Sequence, residues 1–281
     1  MERKPQRRID PRIYQVTVLS ALLLYGIGFL SFDLSFSRMA AIVGTALLTQ
    51  WICTRISRLP GFDPRSPMTS ALSLCLLLRT DQTALAVLAA ILTIASKFIL
   101  RWNGKHIFNP TNFGIMVMIS MTHGVWVSPG QWGSTAFFGF FMASLGGFVI
   151  YRSSRSDITY AFMAFYLAIL FSRTFWLGEP VWIPLHRLQN GGFLLFSFFM
   201  ISDPKTTPDS RIGRILFAFL IAVGAGFVHF YLYRPNGLLW SLVFSSMTTP
   251  LIDRLFPGGK YTWPGFTENK QLSTHNMRRA T

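Results

Sequence analysis

Charged residues are scarce in this chain: Asp, Glu, Lys and Arg make up 13% of 281 residues, and 11 of these residues are acidic. Soluble domains carry about 25% charged residues, so the composition excludes an ordinary water-soluble domain. Cysteine is scarce as well, with Cys53 and Cys75 in the whole sequence. They form no C-x-x-C pair and cannot by themselves hold an iron–sulfur cluster. Walker A, G-x-S-x-G and H-E-x-x-H motifs are also missing, which leaves no signature of a stand-alone enzyme.

Apolar residues, in contrast, make up 51% of the sequence and recur in long runs. A transmembrane helix needs about 17–25 apolar residues, and this pattern predicts an all-α polytopic membrane protein with about ten transmembrane helices. Three segments are short, and we expect them to be tilted or broken helices packed inside the protein. The predicted segments are approximately 13–31, 38–56, 66–79, 83–101, 109–121, 132–151, 158–172, 187–202, 211–233 and 236–256.

The distribution of basic residues predicts the orientation. If residues 1–12 form a cytoplasmic tail and all ten segments cross, 20 of the 26 Lys and Arg residues lie on the cytoplasmic side and five on the outer side. This asymmetry is what the positive-inside rule demands. It favours a multi-pass protein of the inner (plasma) membrane, with a single membrane domain over 13–256 and a second cytoplasmic tail over 257–281. The net charge of +15 is spread over every inner loop, which favours contact with the lipid bilayer over nucleic-acid binding.

A module of hydrophobic segments appears twice along the chain. The first copy covers 66–121 and the second 190–253, and in each an apolar run breaks, a longer run follows, and an asparagine beside a proline precedes a third. Each half, 13–121 and 132–256, holds five predicted crossings. Because five is odd, the halves have opposite orientations, which predicts two inverted five-helix repeats with ligand sites where they meet.

Several polar residues lie at the ends of these segments. Asn109 and Asn236 precede helices that start from opposite faces, and asparagine is a good N-cap; exposed helix N-termini attract electron-rich groups. Intramembrane ionisable residues are functional candidates by default. For Lys97, however, we expect the amine to reach the inner surface, and for His229 a structural hydrogen bond. We expect Asp253 to pair with its neighbour Arg254.

Three motifs together resemble those of the NqrB/RnfD family, membrane subunits of the sodium-pumping NADH:quinone oxidoreductase and of the Rnf ferredoxin:NAD oxidoreductase. Ser202–Pro208 (SDPKTTP) resembles the family's DP-x-[ST]-x-P stretch. Phe108–Gly114 (FNPTNFG) is similar to its FNP…G element, and Pro235–Asp253 to its P-[DE]-G…[TA]-P-L-I-D ending. The resemblance covers about 13–256 and is to divergent stand-alone members, such as the UnbU type of enediyne gene clusters. It implies ten helices in two inverted repeats and a bound flavin that carries electrons.

One departure from the family concerns how the flavin is attached. The resemblance implies covalent FMN on the threonine of an S-G-A-T motif in the outer loop after the fifth helix. Here Gly133 and Thr135 match that motif, whereas Trp132 and Ser134 do not. We therefore expect non-covalent FMN or riboflavin rather than FMN attached to Thr135.

Two functions are compatible with the sequence. The first is a membrane electron-transport subunit that binds flavin and works with other redox subunits or a soluble electron donor, with a quinone as an acceptor and with ion movement as a coupled process. As an enzyme it would at most be one subunit of an oxidoreductase complex. The second is a transporter or channel for a small polar or flavin-like solute, or an exporter tied to natural-product biosynthesis, since inverted repeats with broken helices suit transport equally well. The candidate cofactor-binding residues are Asn109, Trp132, Gly133, Thr135, Arg187, Asp203 and Asn236.

Overall fold

The computed structural model describes residues 10–59, 61–127, 156–188 and 190–261, together with Gly147. These residues fold mainly into helices, joined by short loops and a few two-residue strands. The helices are α1 (Pro11–Phe29), α2 (Phe36–Ile56), α3 (Arg65–Leu77), α4 (Thr83–Ile99), α5 (Pro110–Met121), α6 (Ser156–Leu177), α7 (Trp182–Leu188), α8 (Gly191–Leu195), α9 (Arg211–Phe230), α10 (Gly237–Ser246) and α11 (Thr249–Leu255). The strands are β1 (Leu78–Arg79), β2 (Arg101–Trp102), β3 (Lys105–His106) and β4 (Trp126–Val127).

The helices confirm the prediction of an all-α polytopic membrane protein. Among the described residues, α1, α2, α6 and α9 are long and apolar enough to cross a bilayer. Shorter apolar helices are α4, α5, α10 and the continuous helix Gly191–Met200. The predicted segment 132–151 lies outside the described residues, so the prediction of ten helices stays a prediction.

Two predicted segments are interrupted. The segment 187–202 begins inside α7, continues as α8 from Gly191 and ends in a π-helical segment, Phe196–Met200. Asn190 causes the break, because its Oδ1 accepts from the Gly192 N–H and starts α8 anew. The segment 236–256 divides into α10 and α11, since Met247 and Thr248 form a turn between them. Periodicity alone does not reveal such breaks inside apolar runs.

The short helix α3 ends inside the protein, and Arg79 satisfies the carbonyl groups at that end. Its guanidinium donates to the backbone oxygens of Cys75 at 2.9 Å and Leu78 at 2.7 Å. Arg79 is 3% exposed and stacks over Phe32. The chain then becomes extended, and β1 pairs antiparallel with β4, which places the ends of α3 and α5 side by side.

Packing between helices follows the same pattern in both parts of the chain. In the first part, α4 packs against α2 and α5; in the second, α9 packs against α6 and α10. Small residues allow the close approach of each fourth and fifth helix: Gly114 of α5 lies against Thr93, and Gly224 of α9 lies against Ser241. A Cβ atom at Gly114 would also lie 3.1 Å from the backbone oxygen of Ala89, so this contact requires glycine.

At the end of the bundle where α1 begins, called here the proximal end, Lys105 joins the two parts of the chain. Its Nζ lies 2.6 Å from Asp253 Oδ2 and 3.1 Å from Asp209 Oδ1, and donates to the Thr207 backbone oxygen at 2.8 Å. Asp253 Oδ1 in turn accepts from the Asp209 N–H. The expectation that Asp253 pairs with Arg254 is therefore wrong, because Lys105 reaches it from a strand 148 residues away.

Candidate functional site

A cavity of about 700 Å³ lies at the proximal end. It is enclosed by the starts of α1, α3 and α5, the ends of α2 and α4, and the turn after the π-helical segment, and we call it the proximal cavity. The side chains that enclose it are largely polar: serines and threonines of α3, two aspartates and several cations. The residues used below are Arg12, Gln50, Asp63, Arg65, Ser66, Thr69, Lys97, Phe98, Arg101, His106, Asn109, Phe199, Met200, Asp203 and Lys205.

Asn109 connects this cavity to the other part of the chain. Its Oδ1 accepts from the Asn112 N–H and caps α5, while its Nδ2 donates to the Met200 backbone oxygen at 3.2 Å. Asn112 follows one turn later, and its Nδ2 donates to the Leu239 backbone oxygen of α10. Both side chains are buried. The predicted cap at Asn109 is thus confirmed, and the two asparagines also hold together helices that are distant in sequence.

Asp203 shapes the turn that closes the proximal cavity. Its Oδ1 accepts from the Lys205 N–H, and its backbone oxygen accepts from Thr206 N–H and Thr207 N–H. Asp and Asn favour such turns because their short side chains bond to the backbone two residues on. The Asp-Pro-Lys-Thr-Thr sequence therefore brings Asp203 and Lys205 to the cavity wall.

Two aspartates and two arginines form a cluster at the rim of this cavity, the rim cluster (Asp10, Arg12, Asp63 and Arg65). Arg12 lies 2.6 Å from Asp10 and 2.7 Å from Asp63, and Arg65 lies 2.9 Å and 2.8 Å from the same two carboxylates. Burial by itself raises the pKa of both carboxyls, but hydrogen bonds and the arginine charges outweigh it. The pKa of Asp10 and that of Asp63 are therefore held below the usual value.

Lys97 does not extend to the inner surface as expected. Its side chain is 5% exposed, and its Nζ lies 3.1 Å from both the backbone oxygen and the Oγ of Ser66 at the start of α3. Because α3 starts beside the end of α4, the amine is enclosed before it reaches water. The expected snorkelling is wrong for this reason, and Lys97 lines the proximal cavity instead.

Two acceptor atoms at the proximal cavity lack a donor among the described residues. They are Gln50 Oε1 and His106 Nδ1. Burial, together with the nearby charges of Lys97 and Arg101, lowers the pKa of His106 to about 3. The imidazole is therefore neutral at pH 7, and its free nitrogen can accept a hydrogen bond. Buried polar groups without partners are rare in folded proteins, so these two atoms indicate a ligand or water at this place.

A second cavity, of about 330 Å³, lies at the opposite end of the bundle and is called the distal cavity. It is enclosed by the end of α3, by α6 to α8, and by the end of α9 and the start of α10. Its walls are mainly apolar and aromatic. The residues used below are Tyr166, Arg187, Asn190, Phe193, Phe196, Met200, His229, Asn236, Leu238 and Leu239.

Arg187 is the cation of the distal cavity among the lining residues that the structure describes. Its guanidinium contacts the His229 ring and lies 5.2 Å from the centre of the Phe230 ring. His229 thus makes the structural hydrogen bond that the sequence predicts. Arg187 also bonds to the Tyr166 hydroxyl, whose ring stacks on Phe193, so a single cation is held among aromatic rings.

Asn236 precedes α10 as predicted, but its side chain makes no capping hydrogen bond. Its backbone is left-handed, with φ of 60° and ψ of 31°, a conformation that asparagine tolerates better than other side chains. The residue therefore serves the chain reversal before α10 through its backbone. The expectation of a second asparagine cap is wrong because Pro235 and Gly237 form a tight turn here rather than an extended entry.

The structure thus places four candidate residues in two pairs at opposite ends of the bundle. Asn109 and Asp203 line the proximal cavity, whereas Arg187 and Asn236 line the distal one. The other three candidates, Trp132, Gly133 and Thr135, lie outside the described residues. Met200 lines both cavities, and its backbone oxygen receives the Asn109 hydrogen bond.

Sequence reasoning missed Lys97, Gln50, His106 and Asn112 as site residues. Asn112 carried a usable signal, since it stands three residues after a predicted N-cap, where cap and helix surface meet. Gln50 and His106 carried none, because each reaches the cavity only through the packing of α2 and the short hairpin β2–β3.

A polytopic helical bundle with a polar cavity at one end and an aromatic cavity at the other defines a membrane protein built to hold small molecules at depth. Residues 82–261 match the NQR2, RnfD, RnfE family. The chain belongs to this family, as the three motifs indicated.

Relatives of the chain are subunits of the ion-translocating oxidoreductase complex in other bacteria. The relative from Alcanivorax borkumensis is 33% identical over 139 residues, which is 48% of this chain and 38% of the relative. The one from Erwinia tasmaniensis is 31% identical over 113 residues, 39% of this chain and 31% of the relative. The one from Buchnera aphidicola subsp. Schizaphis graminum is 36% identical over 70 residues, 25% and 20% of the two chains. The matched stretches therefore span less than half of these relatives' own lengths.

Proposed function

We propose that the chain is a membrane electron-transport subunit that binds FMN or riboflavin non-covalently in the proximal cavity. The observation that carries this proposal is the cavity itself, a space of about 700 Å³ with buried acceptors that lack donors among the described residues. Small-molecule sites are typically cavities of about 300–1,000 Å³ with a few convergent polar groups. Membership in the NQR2, RnfD, RnfE family supports the electron-transport role.

The residues of the proximal cavity fit a flavin. The isoalloxazine ring is flat, with apolar faces and one polar edge that carries an N–H between two carbonyl groups. Phe98 and Phe199 offer apolar surface for the faces. Gln50 Oε1 or His106 Nδ1 would accept from the ring N–H, and the Lys97 amine would donate to a carbonyl. When bound, the flavin supplies one- and two-electron transfer, while the protein supplies position and electrostatics.

We further propose that the chain forms ten helices in two inverted repeats, 13–121 and 132–256. The recurring contacts of the fourth helix support this arrangement: α4 with α2 and α5, and α9 with α6 and α10. The two cavities support it as well, because each lies at the start of a third and a fifth helix and the end of a fourth. The inverted orientation then places them at opposite membrane faces.

In the membrane, the proposal places the proximal end in the cytoplasm, since both tails and most basic loops belong to it. A soluble electron donor would reach the proximal cavity from that side. Other redox subunits, a quinone acceptor and coupled ion movement complete the proposed role. Thr135 stays a candidate for covalent FMN, with Trp132 and Gly133 as its neighbours, although the mismatched motif favours non-covalent binding.

The absorption spectrum of the detergent-purified protein tests this proposal. We expect a yellow preparation with a flavin band that is released into the supernatant on denaturation. A fluorescent protein band in a denaturing gel would show covalent attachment, and loss of that band in Thr135→Ala would assign it to this residue. A preparation that stays colourless after incubation with riboflavin and FMN would contradict flavin binding.

A second candidate function is transport of a small polar or flavin-like solute, and one observation favours it. The cavities lie at opposite ends of the bundle, and Met200 lines both, as expected if a solute passed between two half-channels. Uptake of radiolabelled riboflavin into proteoliposomes tests this function. Saturable uptake by a flavin-free preparation supports transport, and no uptake above protein-free liposomes contradicts it.

A further inference from the structure

The Lys97 ammonium is the most deeply buried cation among the described residues of the proximal cavity. Its side chain is 5% exposed, and two acceptors of Ser66 lie 3.1 Å from Nζ. An ammonium has three N–H donors, so Ser66 satisfies two of them. The third is available to a ligand in the cavity that Lys97 lines.

The surroundings of Lys97 do not neutralise its charge. Within the part of the chain that the structure describes, no carboxylate lies within 4.0 Å of its Nζ. Asp63, one of the two acids on the cavity wall, is already bonded to two arginines, and the Oδ1 of the other, Asp203, accepts from the Lys205 N–H. Five cations face these two acids: Arg12, Arg65, Lys97, Arg101 and Lys205.

A buried charge without a counter-charge is costly, and proteins normally pair it. Lys97 is held in place by serine, a neutral partner, although Asp63 and Asp203 lie on the same cavity wall. A structural lysine would be expected to bond to a carboxylate that is so close. The bonding instead leaves the positive charge available in a low-dielectric space, where it acts strongly on whatever occupies the cavity.

We propose that Lys97 is the counter-charge for the ligand of the proximal cavity, which is one that gains negative charge on reduction. The inference rests on the proposed flavin site. A flavin that takes two electrons from a soluble electron carrier and one proton from water is left with one negative charge on its ring. The Lys97 ammonium stabilises that charge, and it thereby raises the reduction potential of the bound flavin, as cationic groups near the ring do.

The test compares the full-length protein with Lys97→Met, using riboflavin as the probe. Lys97→Arg keeps the charge, and Lys260→Met removes an exposed cation whose amine contacts the Asn103 backbone oxygen. Affinity for oxidised riboflavin is measured by fluorescence quenching, and the midpoint potential of the bound flavin by equilibration with redox dyes.

We expect Lys97→Met to bind oxidised riboflavin within about threefold of wild type, but reduced riboflavin about tenfold more weakly or worse. For a two-electron couple, a tenfold change lowers the midpoint potential by about 30 mV. Lys97→Arg should restore most of the potential, and Lys260→Met should leave it unchanged. An unchanged potential in Lys97→Met overturns the role of Lys97 while leaving the flavin site intact. Wild-type protein that binds no riboflavin overturns both proposals.

Should Lys97→Met aggregate, Ser66→Ala provides a second test. This variant keeps the ammonium but removes the Oγ acceptor, which makes the charge more available to the ligand. The midpoint potential should then rise. A potential equal to or below the wild-type value contradicts the proposal.

Discussion

The two cavities are enclosed by helices of the same rank in the two parts of the chain, yet their chemistry differs. The proximal cavity is polar and faces five cations and two aspartates, whereas the distal cavity is aromatic and holds Arg187 as its cation among the described lining residues. The difference shows that a repeated scaffold fixes where cavities form, while the side chains at equivalent places decide what each can bind. A buried charge acts most strongly where water is excluded, so we assign the redox ligand to the proximal cavity.

The comparison extends to how each end is held together. At the proximal end, ion pairs connect distant parts of the chain, through Lys105 and through the rim cluster. At the distal end, rings pack on one another, as Phe162, Tyr166, Phe193 and Phe196 do. Changes at the proximal end should therefore depend on charge, and changes at the distal end on shape.

The largest effect is expected from Lys105→Met. The substitution leaves the Asp209 and Asp253 carboxylates close together without their shared cation, which should cost about 3 kcal/mol of stability. The thermal unfolding midpoint in detergent measures this loss. The matched control Lys260→Met should change it by less than about 0.5 kcal/mol. Equal midpoints for both variants would show that the ion pairs do not hold the proximal end.

A smaller effect is expected from glycine substitutions where the fourth and fifth helices meet. Gly114→Ala places a methyl group against Thr93 and 3.1 Å from the Ala89 backbone oxygen, so it should cost about 1–3 kcal/mol. Gly224→Ala meets mainly the Ser241 side chain, which yields more easily, and should cost less. Gly28→Ala meets nothing within 4 Å and serves as the control. An equal midpoint for Gly114→Ala and Gly28→Ala would contradict close packing at this contact.

The two asparagines before fifth helices should respond differently to the same substitution. Asn109→Gly removes a cap and the donor to the buried Met200 oxygen, at a cost of about 1–2 kcal/mol. Asn236→Gly should cost nothing, because glycine adopts the left-handed backbone of this residue freely. Thermal midpoints of the two variants provide the measurement. Equal losses in both would indicate that Asn236 also acts through its side chain.

The smallest effect concerns pH. Because the pKa of Asp10 and that of Asp63 are lowered in the folded protein, the rim cluster stabilises fully above the unfolded pKa of about 3.9. That stabilisation is lost as the pH falls through the lower folded values. The double variant Asp10→Asn with Asp63→Asn should therefore show a flatter loss of thermal midpoint between about pH 5 and pH 3 than wild type does. Identical slopes would exclude a contribution of these carboxylates.

Much of the fold could be predicted from the sequence because membrane helices have a strong local signal. Apolar length located α1, α2, α6 and α9 to within a few residues. The interruptions at Asn190 and Met247 could not be predicted, since they depend on caps and turns inside apolar runs. Periodicity measures hydrophobicity and is blind to such hydrogen bonds.

The candidate site was predictable where a motif combined local geometry with chemistry. Asn109 and Asp203 lie on the proximal cavity because a cap and a turn are encoded by neighbouring residues. The role of Lys97 was not predictable, because it depends on Ser66, a residue 31 positions away that encloses the amine. Its burial is a property of helix packing, which the spacing of residues in one segment does not reveal.

The flavin content of two matched cavity-filling variants tests the central claim most directly. Thr69→Trp fills the proximal cavity and Leu238→Trp the distal one; both residues line their cavities and are partly buried. The flavin-to-protein ratio is measured after purification and incubation with riboflavin. We predict that Thr69→Trp loses the flavin while Leu238→Trp keeps it at the wild-type ratio. Flavin retained in Thr69→Trp and lost in Leu238→Trp would contradict the assignment of the redox ligand to the proximal cavity.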